Sequence, residues 1–144
     1  MKHVLDTNIL VRHFSGAPAA QAAAATAFLA SAAPGDLLLT DVHIAEFVWV
    51  LESSTYQADR ITIATALDAV FSLPAIAVTD ETLLQDTVSL YSQRGMDWAD
   101  AYLVATARAR GTREVVSFDR FDAKLAGLGV RRLQPEQRSR PRGR

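Results

Sequence analysis

Short apolar runs alternate with longer stretches of helical periodicity along the whole chain. Residues 3–5, 37–40, 76–79 and 115–118 have the length and aliphatic or β-branched character of buried strands, and 130–133 form a weaker fifth. Between them, residues 7–14, 18–32, 42–54, 59–72, 81–94 and 98–110 read as helices. In the third of these, Ile44, Phe47, Val48 and Leu51 fall at i, i+3, i+4 and i+7, a stripe that should face the core. The region 17–33 is dense in alanine, the best helix former, so it reads as helix and not as low-complexity chain. Pro18, Pro34-Gly35, Pro74, Gly95, Gly111, Gly127 and Gly129 stand where the boundaries should fall. Strands that alternate with helices predict an α/β protein, a parallel sheet with helices on both faces. Such sheets bind ligands beyond the carboxyl ends of their strands, so the informative residues are those that finish a strand or open the next helix.

Acids occupy those positions. Asp6 follows the first strand and opens Asp6-Thr7-Asn8-Ile9-Leu10. An aspartate there also suits a helix N-cap. Glu46 lies on the helix after the second strand, on the side away from the apolar stripe, and Asp41 is a candidate cap for that helix. Asp97 and Asp100, in Gly95-Met96-Asp97-Trp98-Ala99-Asp100-Ala101, share one face at a helix start, where the helix dipole favours anions. Asp119 follows residues 115–118, with Asp122 three positions on, and also fits a turn.

Singly, each acid has a structural explanation; together they mark one edge of the sheet. Two unit charges about 4 Å apart repel by about 4 kcal/mol at an effective dielectric near 20, so protons or a divalent cation must offset a cluster of this kind. An all-oxygen donor set suits Mg²⁺ or Mn²⁺. Such ions activate water and stabilise leaving oxygens in phosphate chemistry.

Composition narrows the alternatives. The 144 residues suffice for one domain, and the 49% apolar and 22% charged content is that of an ordinary soluble protein. The absence of cysteine excludes disulfides, thiolate metal sites and cysteine nucleophiles. No apolar run is long enough to span a membrane, and Asp6 interrupts the N-terminus before a secretory segment could form, so the expected location is the cytoplasm. There is no Gly-rich phosphate loop and no Gly-x-Ser-x-Gly elbow. His3, His13 and His43 lack the spacing of a catalytic set and read as strand, helix-surface or capping residues. Phe47, Trp49, Trp98 and Tyr102 sit at helical spacings beside the acids and are expected in the core. Charge is uneven: residues 131–144 carry six arginines against Glu136, while the other 130 hold 15 acids and nine Lys or Arg. Residues 1–133 are therefore expected to form the domain, and 134–144 a flexible Arg-rich tail able to touch phosphates.

Val4-Leu5-Asp6-Thr7-Asn8-Ile9-Leu10, Ala45-Glu46-Phe47-Val48-Trp49-Val50-Leu51, Asp97-Trp98-Ala99-Asp100-Ala101 and Ser117-Phe118-Asp119-Arg120-Phe121 together resemble the PIN-domain family. The likeness is to the VapC toxins of bacterial type II toxin–antitoxin pairs, and it runs from residue 3 to about 133. It implies a three-layer α/β/α sandwich with a short, mostly parallel Rossmann-like sheet, and a Mg²⁺- or Mn²⁺-dependent endoribonuclease. By position the family's acidic quartet falls on Asp6, Glu46, Asp100 and Asp119, with Asp6 and Asp100 the most direct metal ligands. Asn8 and the Ser117 hydroxyl would orient ligands or water, and Asp97 matches a frequent family acid. The resemblance further implies a homodimer, an RNA substrate and inhibition by a VapB-type antitoxin. The Arg-rich segment is not part of the family pattern.

Two other functions fit the same residues less closely. One is a non-catalytic module that binds RNA or a partner, for which an intact quartet has no use. The other is an aspartyl-phosphate phosphatase with Asp6 as nucleophile, which wants a second acid where Asn8 stands.

Overall fold

Each strand that the alternation predicts is present, and each is one or two residues shorter than the apolar run that announces it. The computed structural model describes residues 1–136, so most of the segment expected as a tail lies outside the described residues. In chain order the elements are β1 (His3–Val4), α1 (Thr7–Ser15), α2 (Ala19–Ser31), β2 (Leu37–Leu38), α3 (Asp41–Glu52), α4 (Arg60–Phe71), β3 (Ile76–Ala77), α5 (Glu81–Gln93), α6 (Trp98–Arg110), β4 (Glu114–Val116), a 3-10 turn (Asp122–Leu125) and β5 (Arg131–Leu133).

All strand pairings are parallel. β2 lies between β1 and β3, with Leu37 opposite both His3 and Ile76, and β5 pairs with β4. The pattern predicts one sheet; among the described residues the structure has two ladders, one of three strands and one of two. Strands of two or three residues offer few ladder bonds, and Val4 and Val116 remain largely exposed on the two ladders. The six helices pack about these strands in an α/β/α arrangement, with α1 on α2 and α3, α5 on α4 and α6, and α3 touching α6.

Local signals explain the boundaries. Asp6, Thr40, Asp59 and Asp80 N-cap α1, α3, α4 and α5, each side chain accepting from a backbone N–H two or three residues on. Thr40, and not Asp41, caps α3; Asp41 is its first residue. Helix α6 closes on Gly111 at φ 69°, the left-handed conformation that glycine adopts without strain. The predicted stripe Ile44, Phe47, Val48 and Leu51 is buried and packs with Leu10 and Val11 of α1 in the core. Fully burying each such side chain is worth about 1.5–3 kcal/mol, so this packing fixes the helices against the strands. Trp49 is the exception to the expected aromatic core: Phe47 and Trp98 are buried and Tyr102 is half-buried, but Trp49 is 53% exposed. It lies on the Val42–Glu46 side of α3, opposite the stripe. Among the described residues no helix is long and apolar enough to cross a membrane.

Candidate active site

Three helix starts meet at the carboxyl edge of the strands. The Thr7 hydroxyl, in the first turn of α1, donates to the His43 carbonyl in the first turn of α3 at 3.0 Å. The Tyr102 hydroxyl of α6 donates to Asp41 Oδ2 at 2.5 Å, tying α6 to the same turn of α3. These bonds bring to one edge the helices that carry Asp6, Glu46 and Asp100. The turn after β4, which carries Asp119, joins them on the α6 side.

Each expected site residue has a definite place. Asp6 is exposed at the start of α1, and its Oδ1 accepts the Asn8 N–H at 3.2 Å, so it does serve as a cap. Asn8 is exposed and lines a cavity of about 610 Å³ between α1 and α2, with Arg12 and Gln21. Glu46 is exposed on α3. Asp100 is half-buried in the first turn of α6. Burial first, then the negative charges of Asp119 and Asp97, hold its carboxyl above the ordinary carboxylate value, while Lys124 works the other way. Asp119 is exposed, and the turn that presents it is closed by the Ser117 hydroxyl, which accepts the Asp119 N–H at 3.0 Å.

Asp97 occupies the N-cap position of α6 without making a capping bond. Its Oδ1 instead receives Arg60 Nη2 at 3.4 Å. Arg60 also donates to the carbonyls of Tyr91 and Met96 and stacks over the Tyr91 ring at 4.6 Å. Sequence reasoning missed this arginine, which ties α4 to the segment leading into α6. Nothing in its surroundings on α4 signals a partner 37 positions away. The pairing of Tyr102 with Asp41 is equally invisible in the sequence.

The acids thus share an edge but form no closed cage. Asp100 lies within the electrostatic reach of Asp119 and Asp97, yet among the described residues no three His, Asp or Glu side chains converge closely enough to hold a metal ion. The donor set still fits a hard divalent cation in kind, being all carboxylate oxygen, and Asp100 is surrounded by like charge that a cation would offset. Glu46 and Asp119 are exposed, and Asp6 is exposed while its Oδ1 caps α1.

Parallel strands joined by helices, with acids at the strand ends and helix starts, define an α/β protein. The chain matches the family model of the PIN domain over residues 3–127 and belongs to that family, whose members are generally nucleases that use divalent metals. The match ends before β5. Among solved structures, a toxin–antitoxin complex from Klebsiella pneumoniae is similar at 20% identity, covering 90% of this chain and 95% of that one, with a TM-score of 0.35. The crystal structure of VapBC2 from Rickettsia felis bound to a DNA fragment from their promoter is similar at 15% identity, covering 94% and 100%, with a TM-score of 0.34. No curated protein matches the chain.

Proposed function

We propose that the protein is a Mg²⁺- or Mn²⁺-dependent endoribonuclease that hydrolyses RNA phosphodiester bonds as the toxin of a toxin–antitoxin pair. What supports the reading is the half-buried Asp100 at the start of α6, under the charges of Asp119 and Asp97, with α3, which carries Glu46, bonded to α6 and to α1, which Asp6 caps. Asp6 and Asp100 are the residues to hold the ion directly, with Glu46 and Asp119 completing the acidic set. An ion held there would supply an activated water and stabilisation of the leaving oxygen.

The chain's own side chains set the stage for that chemistry. The first turn of α6 presents Asp100 where the helix dipole favours an anion. Ser117 fixes the Asp119 turn through its hydroxyl, and Arg60 fixes the backbone that leads into α6. Asn8 is the remaining polar group beside Asp6, suited to orient water or substrate. Asp97 serves as the partner of Arg60 and not as a ligand. The motif resemblance supports a VapB-type antitoxin and a homodimer as partners.

Cleavage of total cellular RNA tests the reading, with Mg²⁺ or Mn²⁺, with EDTA, and with Asp100→Asn in parallel. Discrete metal-dependent products that vanish in the variant are expected. The open spacing of the acids favours one competing reading, a PIN-like module that binds RNA or a partner without cutting. Inert wild-type protein, verified free of antitoxin, would establish that reading instead.

A further inference from the structure

Helices α1 and α2 leave a cavity of about 610 Å³ between them, and its walls follow from the sequence of each helix. On α1, Asn8 and Arg12 stand four residues apart and so share a face. On α2, Gln21 and Phe28 are two turns apart, about 10 Å along the axis, and Ala24 and Ala25 line the wall between them. Their small side chains hold the space open. Among the described residues Arg12 is the only charged side chain that lines the cavity, and it is the only Lys or Arg between Lys2 and Arg60.

Arg12 is half-buried, and a single bond sets its direction. Its Nε donates to Gln21 Oε1 at 2.9 Å, while its two terminal nitrogens meet neither an acceptor nor a carboxylate among the described residues. A guanidinium anchored by one N–H, with its outer fork free, matches the paired oxygens of a phosphate. Phe28 is 42% exposed, and the His3 ring of β1 braces it at 6.1 Å between centroids. An aromatic ring left this open offers a stacking surface for a base. The cavity also adjoins the candidate active site, because Asn8 lies two residues after Asp6, whose Oδ1 accepts the Asn8 N–H.

We propose that the α1–α2 cavity is a nucleotide subsite, which holds one nucleotide of the RNA strand beside the cleaved bond. Arg12, steadied by Gln21, binds its phosphate, Phe28 stacks on its base, and Asn8 marks the end at which the strand passes to Asp6. This rests on the nuclease reading above and places the grip on its substrate. Helix α3, with Asp41, Glu46 and Glu52 and no Lys or Arg, offers a polyanion no such counter-charge. Stacking accepts any base that is free of a helix, so the subsite takes a single strand.

The test is fluorescence anisotropy with a short fluorescein-labelled single-stranded RNA of mixed sequence, titrated in Mg²⁺ at several salt concentrations. Full-length protein carrying Asp100→Asn is the parent, so that the probe survives. Arg12→Gln should weaken binding by about tenfold and lower the slope of log K against log salt by about 0.7, the share of one phosphate. Phe28→Ala should also weaken it by about tenfold but leave the slope unchanged, since stacking releases no counterions. Ala24→Leu, at an exposed position of α2, should fill the cavity and weaken binding without removing a charge. Arg12→Lys should keep the slope and Phe28→Tyr the affinity, and both guard against misfolding. Arg113→Gln, which removes an exposed cation before β4, should bind like the parent.

An unchanged slope in Arg12→Gln overturns the proposal, as does equal weakening by Arg12→Gln and Arg113→Gln. So does full affinity in Phe28→Ala or Ala24→Leu, or an absence of RNA binding by the parent. Displacement of the RNA by polyglutamate as readily as by unlabelled RNA overturns it in favour of an acidic protein segment. Cleavage is scored separately, in proteins that keep Asp100. Cutting whose kcat/KM is indifferent to Arg12→Gln and Phe28→Ala sinks the subsite alone, whereas cavity-dependent binding by protein that never cuts sinks the nuclease reading and keeps the subsite.

Discussion

Tyr102 and Asp41 are 61 positions apart in the chain and 2.5 Å apart in the fold, phenol hydroxyl to carboxylate Oδ2. This bond docks the start of α6 on the start of α3. Asp41 Oδ1 is buried with no hydrogen-bond partner among the described residues, so Tyr102 is the one group that satisfies this carboxylate. Tyr102→Phe leaves both oxygens unpaired and should cost about 1–3 kcal/mol in urea unfolding, with an unchanged m value. Pairing it with Asp41→Ala should recover part of that loss. The bond also pushes the Tyr102 phenol up to about 12 from 10.0. A raised folded-state value means that the stabilisation is complete below pH 10 and is lost as pH rises toward 12. Urea midpoints measured across that window should fall less steeply in Tyr102→Phe. A parallel fall in both proteins would show that the bond does not form in solution.

The two tryptophans should behave oppositely. Trp98 is 2% exposed and meets the Tyr91 ring edge-on at 5.7 Å, whereas Trp49 is 53% exposed. Trp98→Ala should cost about 3–5 kcal/mol through the cavity it leaves, and Trp49→Ala should stay within about 0.5 kcal/mol. Acrylamide should quench the fluorescence of a Trp98→Phe variant far more than that of Trp49→Phe. Equal quenching would contradict the packing of α3.

Periodicity could deliver the elements because each side of this chain's alternation is strong: the stripe Ile44, Phe47, Val48 and Leu51 buries as the spacing demands. The acids were legible for a related reason, since a parallel architecture fixes which ends of the strands matter, and Asp6 and Asp119 follow those ends. What spacing cannot carry is long-range pairing. Trp49 has the same helical neighbours whether the face beyond Val42 and Glu46 is covered or bare, so its exposure is not written in the local pattern. Arg60, Tyr102 and Lys124 act on partners 29 to 61 positions distant, and only the folded chain discloses them. The closeness of the acids is likewise a tertiary quantity, and the quartet expected as one cluster is spread along an edge.

Arg60 makes a specific demand on the residue at that position. It binds the carbonyls of Tyr91 and Met96, the carboxylate of Asp97 and the face of the Tyr91 ring at once. A planar guanidinium can do this; an ammonium cannot present the same fork. Arg60→Met should destabilise the fold by about 2 kcal/mol, and Arg60→Lys should restore little of it. Because the same bonds set the backbone leading into Asp100, RNA cleavage by Arg60→Lys should lose kcat more than KM. Full rescue by lysine would reduce Arg60 to a simple counter-ion of Asp97.

Asp100 links stability to the proposed chemistry. Burial and the charges of Asp119 and Asp97 raise its folded-state pKa above the ordinary 3.8, so the folded protein holds that proton more tightly than the unfolded chain does. Ionised Asp100 therefore destabilises the fold. The penalty is full above the folded-state value, shrinks as pH falls through it, and is gone below 3.8. In EDTA at neutral pH, Asp100→Asn should melt higher than the wild type, with the two curves converging as the solution is acidified. Divalent metal should reverse the order. An ion that binds only the native acids stabilises by RT ln(1 + [L]/Kd), about 2.7 kcal/mol at a hundredfold excess over Kd. Thermal melts in a Mg²⁺ or Mn²⁺ series should accordingly raise the wild-type Tm and leave Asp100→Asn unmoved. Should both proteins shift alike, the ion binds elsewhere and Asp100 is not its ligand. If Asp100→Asn instead melts lower than the wild type in EDTA, its carboxylate is stabilising the helix start and the like-charge account of the edge fails.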